Sequence, residues 1–189
     1  GKKNIDGYVL SIDCGTQSVR AMVFDTRGQL LSKIKKPIAP YEPSLPGWAE
    51  QDPDVYWEGL CEAVRRLQAE SPDVFSQIRS VAVATQRDTC VLVDENGKPL
   101  RKAIVWMDQR LLDTHLPMSM PYNIATKLVG MYRTAVMVNR ACKAHWIKVH
   151  EPDIWEKTHR FLLLSGYLNY RLTGRFIDSV GSQIGHIPF

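Results

Sequence analysis

The chain reads as an α/β domain in which a three-stranded antiparallel meander is followed by alternating helices and strands. Three observations predict this. Strand-length apolar runs over residues 8–12, 21–24 and 29–34 are separated only by short polar turns. Asp52-Pro53 then opens a stretch in which Trp57, Leu60, Cys61, Val64 and Leu67 recur with helical spacing. Beyond it, strand-like and helix-like stretches alternate without internal repeats or low-complexity runs.

The first two strands are joined by Asp13-Cys14-Gly15-Thr16-Gln17-Ser18. A carboxylate, a glycine and two hydroxyls therefore meet at one corner. Backbone N–H groups and hydroxyls in such a turn can cradle a phosphate. Asp13 can hold a hydrated Mg²⁺, which favours carboxylate and water oxygens. An ordinary hairpin with a polar turn fits the same residues. Thr26-Arg27-Gly28 closes the next hairpin. Residues 39–53 carry Pro40, Pro43, Pro46 and Pro53 and form a long loop, which Trp48 marks as ordered. Asp52 caps the helix that follows, with proline at its first position, and the helix runs to about residue 68.

Residues 78–84 (IRSVAVA) form a strand whose apolar end places it centrally in the sheet. Gln86-Arg87-Asp88 stands at its end, where open α/β sheets bind ligands. Arg87 can donate to hydroxyls and Asp88 can accept from them; a local ion pair is the plain alternative. Residues 90–93 form a strand closed by Asp94-Glu95-Asn96-Gly97, and residues 103–106 form another. The latter ends in Trp106-Met107-Asp108-Gln109-Arg110, where the indole offers a flat apolar face and Asp108 and Arg110 add polar partners. A helix is expected over 109–115. Another is expected over 124–129, with irregular structure after it, since the methionines at 118, 120, 131 and 137 show no clean period. Cys142, His145, Trp146 and Val149 share one face of a helix over 140–150, with His145 packed there and not a ligand. A short helix to residue 157, a strand over 161–164, a helix capped by Ser165 and stopped at Thr173-Gly174, and a short strand at Phe176-Ile177 complete the order. Residues 178–189 are expected to be irregular.

A length of 189 residues suffices for a sizeable core, and 44% hydrophobic and 23% charged residues are ordinary for a globular protein. The net charge of +4 arises from interspersed charges, which excludes a dense basic surface for nucleic acid. The four cysteines, Cys14, Cys61, Cys90 and Cys142, lack metal-ligand spacing and are expected to be reduced. No leader or membrane-length apolar run is apparent, so a cytoplasmic location without membrane contact is expected.

Taken in order, the motifs are Asp13-x-Gly15-Thr16-x-Ser18-x-Arg20, Pro46-Gly47-Trp48-x-Glu50-Gln51-Asp52-Pro53, Gln86-Arg87-Asp88-Thr89, Trp106-x-Asp108-x-Arg110, His150-Glu151-Pro152 and Tyr167-Leu168-x-x-x-Leu172-Thr173-Gly174. As a set they resemble the N-terminal, sugar-binding domain of the FGGY carbohydrate kinases, which include glycerol kinase and xylulokinase. The resemblance implies a ribonuclease-H-like fold of the actin and hexokinase type over 8–189, incomplete at its C-terminal end. Residues 1–7 are expected to be a flexible end or cloning remnant. ATP and Mg²⁺ are the implied cofactors, and a sugar or polyol the implied partner, with a homodimer left open. Asp13 would organise the metal, and Thr16, Gln17, Ser18 and Arg20 would lie near the transferred phosphate. Gln86, Arg87, Asp88, Trp106, Asp108 and Arg110 would form the substrate corner.

The family's general-base aspartate and its nucleotide-binding second domain would lie beyond Phe189, so this stretch alone is expected to be inactive. Arg87-Asp88 departs from the Arg-Glu of glycerol kinases and from the Gln-Met-His of xylulokinases. Near the place of a glycerol-touching tyrosine stand Met137, Val138 and Asn139. The Trp106 and His150 motifs look closer to xylulokinases, so the substrate stays a polyol or keto sugar. The alternative is a non-catalytic sugar-binding or regulatory module on the same fold.

Overall fold

The computed structural model describes residues 7–41 and 43–179. The expectations for residues 1–6 and 180–189 lie outside the described residues. The meander forms as the turn chemistry requires. β1 (Tyr8–Cys14), β2 (Ser18–Phe24) and β3 (Leu30–Pro37) pair antiparallel. Asp25 closes the second hairpin: its carboxylate accepts from the N–H groups of Arg27 and Gln29, and Gly28 takes φ +82°. β4 (Glu50–Gln51) is a short strand inside the proline-rich loop that the sequence reading did not find.

α1 (Pro53–Glu70) starts where expected, with the Asp52 carboxylate accepting from the Asp54 N–H. Its buried face is rotated from the expected one. Tyr56, Gly59, Leu60, Ala63 and Leu67 face the sheet, while Trp57, Cys61 and Val64 are only half-buried. Small residues set this rotation by allowing close approach. A Cβ on Gly59 would stand 2.9 Å from Ile38 Cγ2 and 3.1 Å from Val19 Cγ2.

After the single turn α2 (Pro72–Ser76), β5 (Ile78–Thr85) pairs parallel to β1. The first sheet is thus mixed, in the order β3-β2-β1-β5. β5 was expected to be central. It stands instead at an edge among the described residues, and Val81 is 54% exposed beside an apolar groove that Trp57 and Leu60 also line.

β6 (Cys90–Val93), β7 (Ala103–Ile104) and β8 (Arg160–Leu163) form a second, antiparallel sheet with β4, in the order β4-β7-β6-β8. All four β6 residues are buried because successive side chains feed different cores. Val91 and Val93 join the core between the first sheet, α1 and α7 (Leu164–Thr173), which includes Ile12, Val23 and Leu168. Cys90 and Leu92 join a second core with Ile104, Leu112, Trp146 and Ile147.

Between β7 and β8 lie α3 (Met120–Leu128), α4 (Tyr132–Ala141), α5 (Lys143–His150) and α6 (Pro152–Lys157). The helix expected over 109–115 does not form, and α4 occupies residues expected to be irregular. The methionine-rich stretch lacks a period because α3 and α4 barely touch the core: Thr126 and Ala135 are their only buried residues. On α5 the buried residues are Ala144, Trp146 and Ile147, and Val149 is exposed. His145 Nδ1 hydrogen-bonds the Asn139 carbonyl.

Ser165 does not cap α7. Leu163 precedes the helix, and the Ser165 hydroxyl donates to Asp178 instead. Gly174 ends α7 at φ +69°, as expected. Phe176 belongs to no strand and stacks on Tyr170, with ring centroids 4.2 Å apart.

Candidate functional site

The turn after β1 and the segment after β5 lie side by side, because β1 and β5 are parallel neighbours whose C-terminal ends coincide: Cys14 pairs with Thr85. The Gln86 N–H donates to the Cys14 carbonyl at 3.0 Å and fixes one segment on the other. At this end of the sheet stand Asp13, Thr16, Gln17, Gln86, Arg87 and Asp88. Arg87 and Asp88 are exposed. Asp88 has φ +60°, a left-handed conformation that aspartate tolerates better than most residues and that turns the chain sharply into β6.

Trp106 follows β7 and reaches the same corner. Its indole Nε1–H donates to Thr16 Oγ1 at 3.1 Å, and its backbone N–H donates to Thr89 Oγ1 at 3.3 Å. Trp106 is 50% exposed while its indole N–H is occupied. Thr16 in turn donates to Gln86 Oε1 at 2.8 Å, and Gln86 Nε2 donates to the Tyr56 hydroxyl at 2.9 Å. Tyr56 carries no motif. The signal that would have found it is its place one turn into α1, beneath the strand end.

Across the β1–β2 hairpin, Arg20 Nη1 donates to Asp13 Oδ2 at 2.6 Å, with both groups partly exposed. Gln17 is exposed, whereas Ser18 is buried at the start of β2. The Gly15 N–H donates to the Ser18 carbonyl and so closes the turn. Among the described residues no cluster of three acidic, histidine or cysteine side chains could enclose a metal ion. One accessible carboxylate does fit Mg²⁺, an ion that keeps several waters and takes other ligands from substrate phosphates. Asp13 would hold it there, and the ion would supply charge neutralisation to the phosphates.

Asp108 and Arg110 occupy a different place from the expected one. Their side chains are 0% and 1% exposed. Asp108 accepts from the Ala49 N–H, from Arg110 Nε at 2.8 Å and from Arg110 Nη2 at 2.6 Å. Arg110 also donates to Glu50 at 2.9 Å and lies against the edge-to-face pair of Trp48 and Trp146, 3.9 and 4.6 Å from their centroids. Glu50 receives Arg101 as well, and Lys143 reaches Asp108 at 3.3 Å. Burial pushes the Asp108 carboxyl upward, but the hydrogen bonds from Arg110 and Ala49 and the nearby Lys143 charge outweigh it, so its pKa falls below the usual carboxylate value. The expectation that this pair touches substrate is therefore corrected. Apart from Arg110 Nη1, which is buried without a hydrogen-bond partner, their side-chain polar atoms are used internally and pin the proline-rich loop to the segment that carries Trp106.

A mixed sheet opened by a meander, with a hydroxyl-bearing turn and an exposed Arg-Asp-Trp corner at one end, makes this an α/β domain of the actin-like ATPase fold. Comparison with known proteins agrees. Residues 8–185 match the model of the FGGY family of carbohydrate kinases, N-terminal domain. The chain belongs to that family. It is 38% identical over 188 residues to a glycerol kinase of Parabacteroides distasonis, covering 92% of this chain and 36% of the relative. It is 29% identical over 165 residues to a xylulose kinase of Staphylococcus epidermidis, covering 87% and 32%. Among solved structures it resembles a xylulose-type kinase of Brucella ovis, with TM-score 0.70, 26% identity, and coverage of 87% of this chain and 34% of that one. It shares its fold with the ADP complex of Plasmodium falciparum glycerol kinase, with TM-score 0.69, 23% identity, and coverage of 88% and 34%. The chain thus spans about a third of the length of the relatives it matches.

Proposed function

We propose that the polypeptide to which this stretch belongs transfers a phosphoryl group from ATP to a hydroxyl of a polyol or keto sugar. The observation that carries this reading is the Trp106–Thr16 hydrogen bond of 3.1 Å, which brings an exposed carbohydrate-sized apolar face against the phosphate turn. In this reading Arg87 donates to sugar hydroxyls, Asp88 accepts from them, and Trp106 lies along the carbon skeleton. Gln86 holds Thr16 in place. Thr16, Gln17 and Arg20 face the transferred phosphate, and Ser18 contributes from the buried base of the turn. Asp13 holds Mg²⁺. Phosphoryl transfer depends mainly on such positioning and charge stabilisation. The base that accepts the hydroxyl proton and most of the nucleotide site are assigned to the remainder of the polypeptide, so the stretch alone gives no sustained turnover.

The test is ADP release by the full-length polypeptide across polyols, pentuloses and heptuloses. At least one should be turned over with metal dependence, and Arg87→Ala should lower kcat/KM for it by roughly tenfold or more, the cost of unpaired hydroxyl partners. Unchanged kinetics in Arg87→Ala across the panel would remove the sugar from this corner.

A further inference from the structure

Trp106 poses a physical problem. A half-exposed indole is held only in part by packing, yet a carbohydrate platform must keep one orientation. Three hydrogen bonds supply the hold, and all run in one donor direction: Trp106 Nε1 to Thr16 Oγ1, Thr16 Oγ1 to Gln86 Oε1, and Gln86 Nε2 to the Tyr56 hydroxyl. They join four elements, namely the segment after β7, the β1–β2 turn, the end of β5 and α1. The far end is immobile, since Tyr56 is 1% exposed in the main core. Burial pushes its phenol up to about 12, so it stays a neutral hydroxyl at physiological pH. At the near end, the single Thr16 proton is already given to Gln86. An anion that takes this proton must therefore release Gln86.

We infer that Tyr56 and Gln86 are positioning residues that bind Trp106 and Thr16 into one unit, so that the carbohydrate face and the phosphate turn do not reorient independently. The inference rests on the kinase reading for what the two ends hold, but not for the relay itself. Tyr56 acts through Gln86 and touches neither end. The relay makes Thr16 the shared joint. Its acceptor side holds the platform, and its donor side is the group that an arriving phosphate competes for. Filling the phosphate turn would loosen Gln86 and, through Thr16, alter the Trp106 platform.

The test follows solvent exchange of the Trp106 indole N–H by ¹⁵N NMR in the 189-residue chain. The Trp106 signal is assigned as the one of five tryptophan signals that Trp106→Phe removes. Thr16→Val and Tyr56→Phe should each speed its exchange roughly 3- to 10-fold, one hydrogen bond's net worth. Thr16→Ser, which keeps the hydroxyl, should restore the wild-type rate, and the other four indoles should not change. Wild-type exchange at Trp106 in Tyr56→Phe would overturn the relay, as would equal acceleration of all five indoles. Titration with inorganic phosphate should speed Trp106 exchange in the wild type and not in Thr16→Val; an equal response in both overturns the coupling. If the full-length polypeptide phosphorylates no sugar or polyol, the kinase reading fails while the indole measurement still decides the relay.

Discussion

Replacing Arg110 by methionine tests whether the Trp106-x-Asp108-x-Arg110 motif holds the fold or the substrate. The guanidinium side chain is 1% exposed, donates twice to a fully buried Asp108 carboxylate and once to Glu50, and lies against the rings of Trp48 and Trp146. Methionine keeps the apolar contacts in part and removes the charge. Asp108 would retain the Ala49 N–H, the residue 110 backbone N–H and Lys143 at 3.3 Å. Breaking a buried pair by removing one partner costs about 3–5 kcal/mol. At this chain length that lowers the melting temperature by roughly 6–20 °C.

Urea unfolding monitored by circular dichroism measures the loss. The pH dependence gives a second readout. The folded-state pKa of Asp108 is lowered, so its stabilisation is fully present above the unfolded value of about 3.9 and is lost as pH falls below it. Acid destabilisation below pH ~4 should therefore be shallower in Arg110→Met than in the wild type. Replacing Asp108 by leucine in the same chain should recover only part of the loss, since it removes the orphaned carboxylate but leaves the buried Ala49 N–H and Lys143 without their carboxylate acceptor. A stable Arg110→Met variant with weakened sugar binding would refute the internal role and return the pair to the substrate corner.

Other outcomes follow from the same geometry. Gly97→Ala places a Cβ 1.8 Å from Tyr170 Cε1 at φ +74°, whereas Gly28→Ala at φ +82° meets nothing within 4 Å. The first should cost roughly 2–4 kcal/mol and the second about 1; equal losses in urea unfolding would show that Tyr170 yields without cost. The Cys14 thiol is pushed up to about 12 and the Cys90 thiol to about 11, both chiefly by burial. In native protein at pH 8, Cys61 and Cys142 should therefore react with a disulfide reagent well before Cys14 and Cys90. Fast native-state reaction of all four would show that the two buried sites open readily. Removing Mg²⁺ from the full-length polypeptide should abolish sugar-dependent ADP release, and Asp13→Asn should raise the Mg²⁺ concentration needed. An unchanged Mg²⁺ requirement in Asp13→Asn would take the ion away from Asp13.

The sequence alone settled much of the order of elements. Asp25 and Gly28, Asp94 and Gly97, Asp52-Pro53 and Gly174 each mark a boundary by chemistry that acts within a few residues, so they are legible without a fold. The Asp13–Arg20 and Gln86–Asp88 segments were legible for the same reason: each is a polar corner at a strand end. Arg87 and Asp88 are indeed exposed, and their segment abuts the turn that follows β1.

What lay beyond local pattern was decided by packing. Apolar runs report how much a strand is buried and not which strands flank it, so β5 read as central although it lies at an edge among the described residues. Helical spacing showed that α1 has an apolar face, but Gly59 and Ala63 turned it, because only small side chains admit the sheet so closely. Asp108 and Arg110 carry the same side chains whether they face a sugar or each other. The choice was made by Glu50, Ala49, Trp48 and Trp146, which lie up to 62 positions away and are brought together only by the fold. Tyr56 was invisible for the same reason. An aromatic on an apolar helix face looks like core, and only the parallel pairing of β1 with β5 sets Gln86 above it and joins it to Thr16 and Trp106.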